Sequence, residues 1–230
     1  MNSHFEQLYS NLLPIPCRLC GVSCQHHALC DACINDLPLL GHACPRCAMP
    51  TPHSQLCGRC LNKPPQQDFS FSLFPYQEPI KGLIADFKYH DKLYLGQLFA
   101  HLMTKPLSHR HLPQLLIPIP LHSKRLRQRG YNQSLELAKA LSKSLNIPIS
   151  NQFLTRTKNT APQASLPFEQ RKNNIQHAFS LMNENIPSHI ALIDDVLTTG
   201  HTANAAVKTL RQKGVETIEV WTIARTIRHD

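Results

Sequence analysis

The sequence predicts two parts: a small cysteine-rich metal-binding unit, then an α/β domain built on a mainly parallel sheet flanked by helices. Three observations lead to this. All nine cysteines fall between Cys17 and Cys60, and eight of them stand in CxxC pairs. Beyond residue 68, short apolar runs alternate with amphipathic stretches, the pattern of strands joined by crossover helices. Between the two, Lys63-Pro64-Pro65-Gln66-Gln67 reads as a linker, because paired prolines hold the chain extended and interrupt both helix and ladder. The boundary is expected near residue 65, giving units 1–65 and 66–230.

A chain of 230 residues with 42% hydrophobic content can bury a core of ordinary size in one large domain or two modest ones. Its 18 prolines argue against a coiled coil. No apolar run reaches the roughly 18 residues of a membrane span, so none is expected. The residues ahead of Cys17 lack a basic segment followed by an apolar stretch. A secretory signal is therefore not expected, and the expected location is the cytoplasm. The net charge of +9 excludes a strongly acidic chain and favours an anionic partner, phosphate or nucleic acid, without choosing between them. In residues 1–68 the bases Arg18, Arg46, Arg59 and Lys63 balance the acids Glu6, Asp31, Asp36 and Asp68, so the surplus belongs to the second unit.

Within the first unit the pairs are Cys17/Cys20, Cys30/Cys33, Cys44/Cys47 and Cys57/Cys60. A CxxC turn aims two thiolates at one point, and two such turns complete a tetrahedral S₄ site, for which zinc is the ordinary occupant. Eight cysteines close two sites, either by sequential pairing or by a crossed one; the sequence leaves both open. Disulfides are the competing chemistry and would suit a secreted domain. Cys24 is left over, as a packed or free thiol, and His26 and His27 lie close enough to substitute as ligands. So short a unit, with few large apolar side chains, needs metal to hold a fold. Its role is then structural support, or contact with nucleic acid or protein.

In the second unit, Phe69 to Tyr76 begins with the alternation of a strand. Its aromatics either fill a sheet's inner face or stack on single-stranded bases. Ile80, Leu83, Ile84, Phe87, Leu95, Leu98 and Leu102 keep helical spacing from Pro79 to Met103, with a break near His90-Asp91. Leu115 to Pro120 is a short apolar run before a basic loop. Leu135 to Leu145 is an amphipathic helix, and Ile147 to Ile149 starts a short strand. A buried run at Ile190 to Ile193, a helix from Thr202 to Lys213 capped by Gly214, and a last strand from Val215 to Ala224 complete the domain.

Chemistry concentrates in Leu192-Ile193-Asp194-Asp195-Val196-Leu197-Thr198-Thr199-Gly200-His201-Thr202. A buried strand delivers two carboxylates to its C-terminal edge, where ligands of open α/β sheets bind. The following turn opens a helix, whose first N–H groups and positive dipole end suit a phosphate. Thr198, Thr199 and Thr202 add hydroxyl donors, and Gly200 allows close approach. Acids upstream suit ribose hydroxyls or hydrated Mg²⁺. The pattern asks for a sugar phosphate.

This segment resembles the signature of type I phosphoribosyltransferases, which bind 5-phosphoribosyl-1-diphosphate (PRPP). The stretch Pro118 to Gln133, the residues Arg156, Thr157, Thr160, Gln163, Leu166, Arg171 and Asn174, and the terminal Val220-Trp221 and Ala224-Arg225 are similar to the ComF/GntX family, as are four CxxC pairs ahead of such a domain. The likeness covers roughly residues 15–226. It implies a double zinc ribbon followed by a type I phosphoribosyltransferase-like parallel sheet flanked by helices. It also implies a link with natural transformation in competent bacteria, acting after DNA enters the cell.

The resemblance implies roles. Lys124 and Arg125 would face pyrophosphate, while Arg127 and Arg129 lie toward solvent or nucleic acid; a solvated basic face is the plainer alternative. Gln163 and Arg171 belong to a stretch, Arg156 to Asn174, that fits a lid closing on PRPP, or a plain surface excursion. Asp194 and Asp195 would hold the ribose hydroxyls, Mg²⁺ would bridge pyrophosphate and ribose, and Thr198, Thr199, Gly200 and Thr202 would anchor the 5′-phosphate. Two functions stay open. One is a PRPP-binding factor that handles imported single-stranded DNA, with proteins of the uptake machinery as further partners. The other is an active, Mg-dependent phosphoribosyltransferase of nucleotide metabolism with an unidentified acceptor.

Overall fold

A computed structural model describes residues 15–24, 28–90, 92–156, 179–181 and 186–227. The cysteine-rich part is held by short elements: strands β1 (Ile15–Pro16) and β2 (Ser23–Cys24), which pair antiparallel, and helices α1 (Asp31–Asn35) and α2 (Gly58–Asn62). Each helix begins immediately after a cysteine, Cys30 or Cys57, so a CxxC pair forms its N-cap and first turn. The second part runs β3 (Phe69–Pro75), α3 (Ile80–Tyr89), α4 (Tyr94–Ser108), β4 (Leu115–Pro118), α5 (Ser123–Arg129), α6 (Gln133–Leu145), β5 (Leu154–Arg156), β6 (Phe179–Leu181), β7 (His189–Leu197), α7 (His201–Arg211) and β8 (Thr217–Arg225).

The main sheet has four strands in the order β3-β8-β7-β4, every neighbouring pair parallel. Helices cover both faces, as parallel strands buried on two sides require. Alternation along β7 and β8 sorts the side chains. Ala191, Ile193, Trp221 and Ile223 face a core shared with Leu83 and Phe87 of α3, Phe99 of α4 and Leu137 of α6. Ile190, Leu192, Ile218 and Val220 face Ala206, Val207 and Leu210 of α7. Trp221 is fully buried, and its indole N–H donates to Glu219 Oε2 at 2.7 Å, which meets the requirement of a buried polar atom.

The cysteine-rich unit is fused to this sheet. Cys17, Cys24, Ala28, Leu29 and Leu37 belong to the first core, and Ala48 belongs to the second. Leu40 N–H donates to the Leu73 carbonyl, and Ser70 N–H to the Pro45 carbonyl, so the segment between the two cysteine clusters lies along β3, the outer strand of the sheet. Arg18 donates to the Asp86 carboxylate of α3 at 2.6 Å.

Three sequence expectations are corrected. The basic segment from Lys124 to Arg129 is a helix, α5: His122 caps it by accepting from Lys124 N–H, and Gly130 closes it at φ 79°. Ile147–Ile149 adds one parallel bridge, Leu116 to Ile149, and no strand, because Pro148 cannot donate to a ladder. The helix expected to reach Lys213 stops at Arg211, with Gly214 in the left-handed region at φ 87° and its N–H on the Arg211 carbonyl. The break expected at His90-Asp91 falls between α3 and α4.

Candidate functional site

The eight paired cysteines gather as two sets, Cys17/Cys20/Cys30/Cys33 and Cys44/Cys47/Cys57/Cys60, each with its sulfurs within 4.8 Å of one another. The pairing is therefore sequential. Cys20 and Cys30 sulfurs lie 3.6 Å apart, as do those of Cys47 and Cys57. A tetrahedron with zinc–sulfur bonds of about 2.3 Å has edges of roughly 3.8 Å, so both sets fit structural zinc. Burial works against a thiolate at Cys17, yet backbone N–H groups of Cys20, Cys30 and Leu19 draw its pKa down to about 6. Cys24 stays outside both sets, buried in the core, its thiol 3.5 Å from the Val22 carbonyl. His26 and His27 lie outside the described residues.

The acid pair ends β7 at the sheet's C-terminal edge. Successive residues of a strand point to opposite faces, and the pair is split accordingly. Asp194 lines a small cavity with Thr198, Gly200 and Thr202, under the turn that opens α7. Gly200 holds φ 79° and is the N-cap of that helix, with no side chain bonded as a cap. Asp195 is buried and pairs with Lys88 Nζ of α3 at 2.9 Å. Burial opposes the charge on Lys88, but the Asp195 carboxylate more than offsets this and raises its pKa.

Asn132 explains how α6 reaches this edge. Its side chain caps α6 by accepting from Ser134 N–H and donates to the Ile119 carbonyl just past β4. This seats Ser134, whose hydroxyl donates to Asp194 Oδ1 at 2.9 Å. Asp194 also accepts from the Asp195 N–H at 2.9 Å. These bonds favour the carboxylate, but burial and the neighbouring Asp195 charge prevail and push Asp194 up to about 7.

Positive charge approaches from two elements. Arg125 of α5 is partly buried, and its guanidinium pKa is lowered by burial and by Arg129. Arg156, at the end of β5, is lowered by burial and by Arg125, while Asp194 acts on it in the opposite sense. Arg156 thus lies within electrostatic reach of both Arg125 and Asp194. Lys124 and Arg127 are exposed on the same short helix. Arg129 is anchored: it donates to Gln133 Oε1 and to the Tyr89 hydroxyl, and lies 4.7 Å over the Tyr89 ring. Gln163 and Arg171 lie outside the described residues.

Sequence reasoning missed Lys88, and it named Arg225 only through a resemblance. Arg225 is 5% exposed at the end of β8. Its guanidinium donates to the carbonyls of Leu197 and Thr198, which start the turn, and to the carbonyl of Cys47 in the second cluster. A second cavity lies between that cluster and the turn, with Thr199 and Gly200 among its lining residues.

Comparison with known proteins places these features in company. The double zinc ribbon domain family matches residues 8–61. Competence protein F of Haemophilus influenzae is 40% identical over 159 residues, covering 65% of this chain and 69% of that protein. DNA utilization protein YhgH of Escherichia coli K12 is 31% identical over 171 residues, covering 72% and 75%. Competence protein ComFC of Bacillus subtilis is 27% identical over 150 residues, covering 62% and 58%. Among solved structures, a purine phosphoribosyltransferase from Pyrococcus horikoshii aligns over 58% of this chain and 84% of its own, at 15% identity and a TM-score of 0.37.

Proposed function

The chain belongs to the ComF family, and from that premise we propose that it serves natural transformation by handling incoming single-stranded DNA, with its Asp194–Thr202 turn binding PRPP or another phosphorylated ribose. One observation carries the ligand: Asp194, Thr198, Gly200 and Thr202 line one cavity at the start of α7. Helix amides and hydroxyls suit the 5′-phosphate, and Asp194, oriented by Ser134, suits ribose hydroxyls. Asp195 acts through its pair with Lys88, which fixes the end of β7. Lys124, Arg125 and Arg156 supply cations for a pyrophosphate on the far side of the sugar. Mg²⁺ accompanying PRPP would meet Asp194 and supply further neutralisation of the pyrophosphate oxygens.

The DNA reading is supported by the names of the relatives, by the +9 charge, and by the exposed Tyr89 ring beneath Arg129, a flat cationic plane on which a base can stack. Two measurements test the proposal. Calorimetry with PRPP and Mg²⁺ should give binding that Asp194→Ala abolishes; undiminished binding would overturn the site. Anisotropy with a single-stranded oligonucleotide should show affinity falling steeply with salt. Arg127→Glu should weaken it, and equal affinity at low salt would remove that helix from the interface.

The catalytic reading is favoured by one observation: Asp194 lines the cavity under the turn and is oriented there by the Ser134 hydroxyl at 2.9 Å. A carboxylate whose charge is costly at rest gains most when positive charge develops at ribose C1, which is where transition-state stabilisation originates. A screen for pyrophosphate release with candidate bases and oligonucleotides tests it; no release above background with any acceptor would count against it.

A further inference from the structure

The helix α3 turns Leu83, Ile84 and Phe87 into the core. Asp86 and Tyr89, one turn apart, therefore share its other side, and Tyr89 is 62% exposed. Two guanidiniums bracket this ridge. From α5, Arg129 lies 4.7 Å over the Tyr89 ring, donates to its hydroxyl at 3.0 Å and is tied to Gln133 at 2.9 Å. From the first ribbon, Arg18 donates through Nε to Asp86 at 2.6 Å, with its side chain 48% exposed. Arg18 stands between two ligands of the first cluster, Cys17 and Cys20. One continuous strip thus joins α5, α3 and the ribbon.

Charge and ring chemistry identify what fits it. Asp86 is balanced where it lies, since Arg18 and His90 Nδ1 both approach it, the latter at 3.0 Å. Its carboxylate raises the Arg18 pKa, and the exposed Tyr94 at the start of α4 lies within electrostatic reach of the same guanidinium. At the other end, Lys124 and Arg127 are exposed on α5, and Arg125 lies within reach of Tyr89. Rings set among cations hold single strands: ring faces take bases of any sequence, and guanidiniums take phosphates. A duplex keeps its base faces stacked inside and has none to offer. The cations are also already ordered, Arg129 by Tyr89 and Gln133 and Arg18 by Asp86, so binding immobilises little that was free.

We propose that this strip is a track for single-stranded DNA, running from α5 across α3 onto the first zinc ribbon, with a base stacked on the Tyr89–Arg129 pair and Arg18 holding the phosphate chain beyond it. This rests on the reading of the chain as a single-strand handling factor and gives that reading a path. It also gives the first cluster a task besides support, because its metal ligands order a DNA contact.

Fluorescence anisotropy with a thymidine oligomer, on the full zinc-loaded chain, tests the track. Tyr89→Leu should weaken binding at least about fivefold, the share of one stacked base, while Tyr89→Phe, which keeps the ring, should stay within about twofold. Arg18→Met should flatten the slope of log affinity against log salt by about 0.7, the share of one phosphate on a single strand. Zinc content and melting temperature are expected to stay unchanged in all three. Undiminished affinity in Tyr89→Leu, or an unchanged slope in Arg18→Met, overturns the track; both together are what a protein-docking face would give. Irradiating the natural protein with a 5-bromodeoxyuridine oligomer reads the path without any substitution: an adduct is expected on Tyr89, and adducts confined to other segments overturn it. If the oligomer binds the natural protein and every variant alike, the track alone fails. If it does not bind the natural protein even at low salt, the single-strand reading fails and the track with it.

Discussion

Arg225 and Cys47 are joined across the two parts of the molecule: the arginine Nε donates to the cysteine's carbonyl at 2.8 Å while its Nη1 donates to the Leu197 carbonyl at 2.7 Å. One buried side chain thereby fixes the second metal cluster against the turn expected to hold phosphate. Its Nη1 also donates to the Thr198 carbonyl, so the start of the turn and the cluster share one guanidinium.

Replacing Arg225 by Met removes its bonds to the Cys47, Leu197 and Thr198 carbonyls, of which Leu197 keeps the Thr226 N–H. The expected cost is about 2–4 kcal/mol, and for a chain of this length a melting temperature lower by roughly 4–16 °C. A thermal melt unchanged within a degree would show that the clamp is dispensable.

Metal content should be two zinc ions per chain. Native mass spectrometry of Cys20→Ser and of Cys57→Ser should each show a single ion, because each substitution opens a different set. Retention of both ions in either variant would contradict sites that need all four sulfurs. A chelator that empties the second site should also weaken PRPP binding, since Cys47 and the turn share Arg225.

The pair formed by Lys88 and Asp195 is largely buried. Lys88→Met alone strands a buried carboxylate, with an expected loss of about 3–5 kcal/mol. Adding Asp195→Asn removes that charge and should restore most of the loss. Urea unfolding measures both, and a double variant no more stable than the single would show that the pair is not what the substitution disturbs.

Asp194 sets a pH dependence. Its folded pKa of about 7 lies above the unfolded value near ~3.9. Folding therefore takes up a proton between these values, and the resulting stability is fully present below the lower one and lost as pH rises through 7. The natural protein should be less stable at pH 8 than at pH 5.5, and Asp194→Asn should flatten the difference. A slope that persists in the variant would assign it elsewhere.

The legible parts were those in which function is local. A strand, two acids and a threonine-glycine turn are consecutive, and the four CxxC pairs carry their geometry in their spacing. The cap formed by Asn132 is equally local, since it spans two residues. Lys88 was not legible, since it is one lysine on an amphipathic helix, and only the packing of α3 against the β7 edge sets it beside Asp195. The basic segment was misread as a loop because its start and stop signals, a histidine side-chain cap and Gly130, are weaker than the run of charges between them.

The chain around residues 40–45 occupies the flank of β3, where Leu40 N–H donates to the Leu73 carbonyl and Ser70 N–H to the Pro45 carbonyl. A strand stripped of such a neighbour presents bare amides that recruit another molecule's strand. Zinc starvation should thus make this protein sticky before it makes it inactive. The ribbon is in this respect a stopper against polymerisation, and light scattering on chelation should rise ahead of any loss of helical signal.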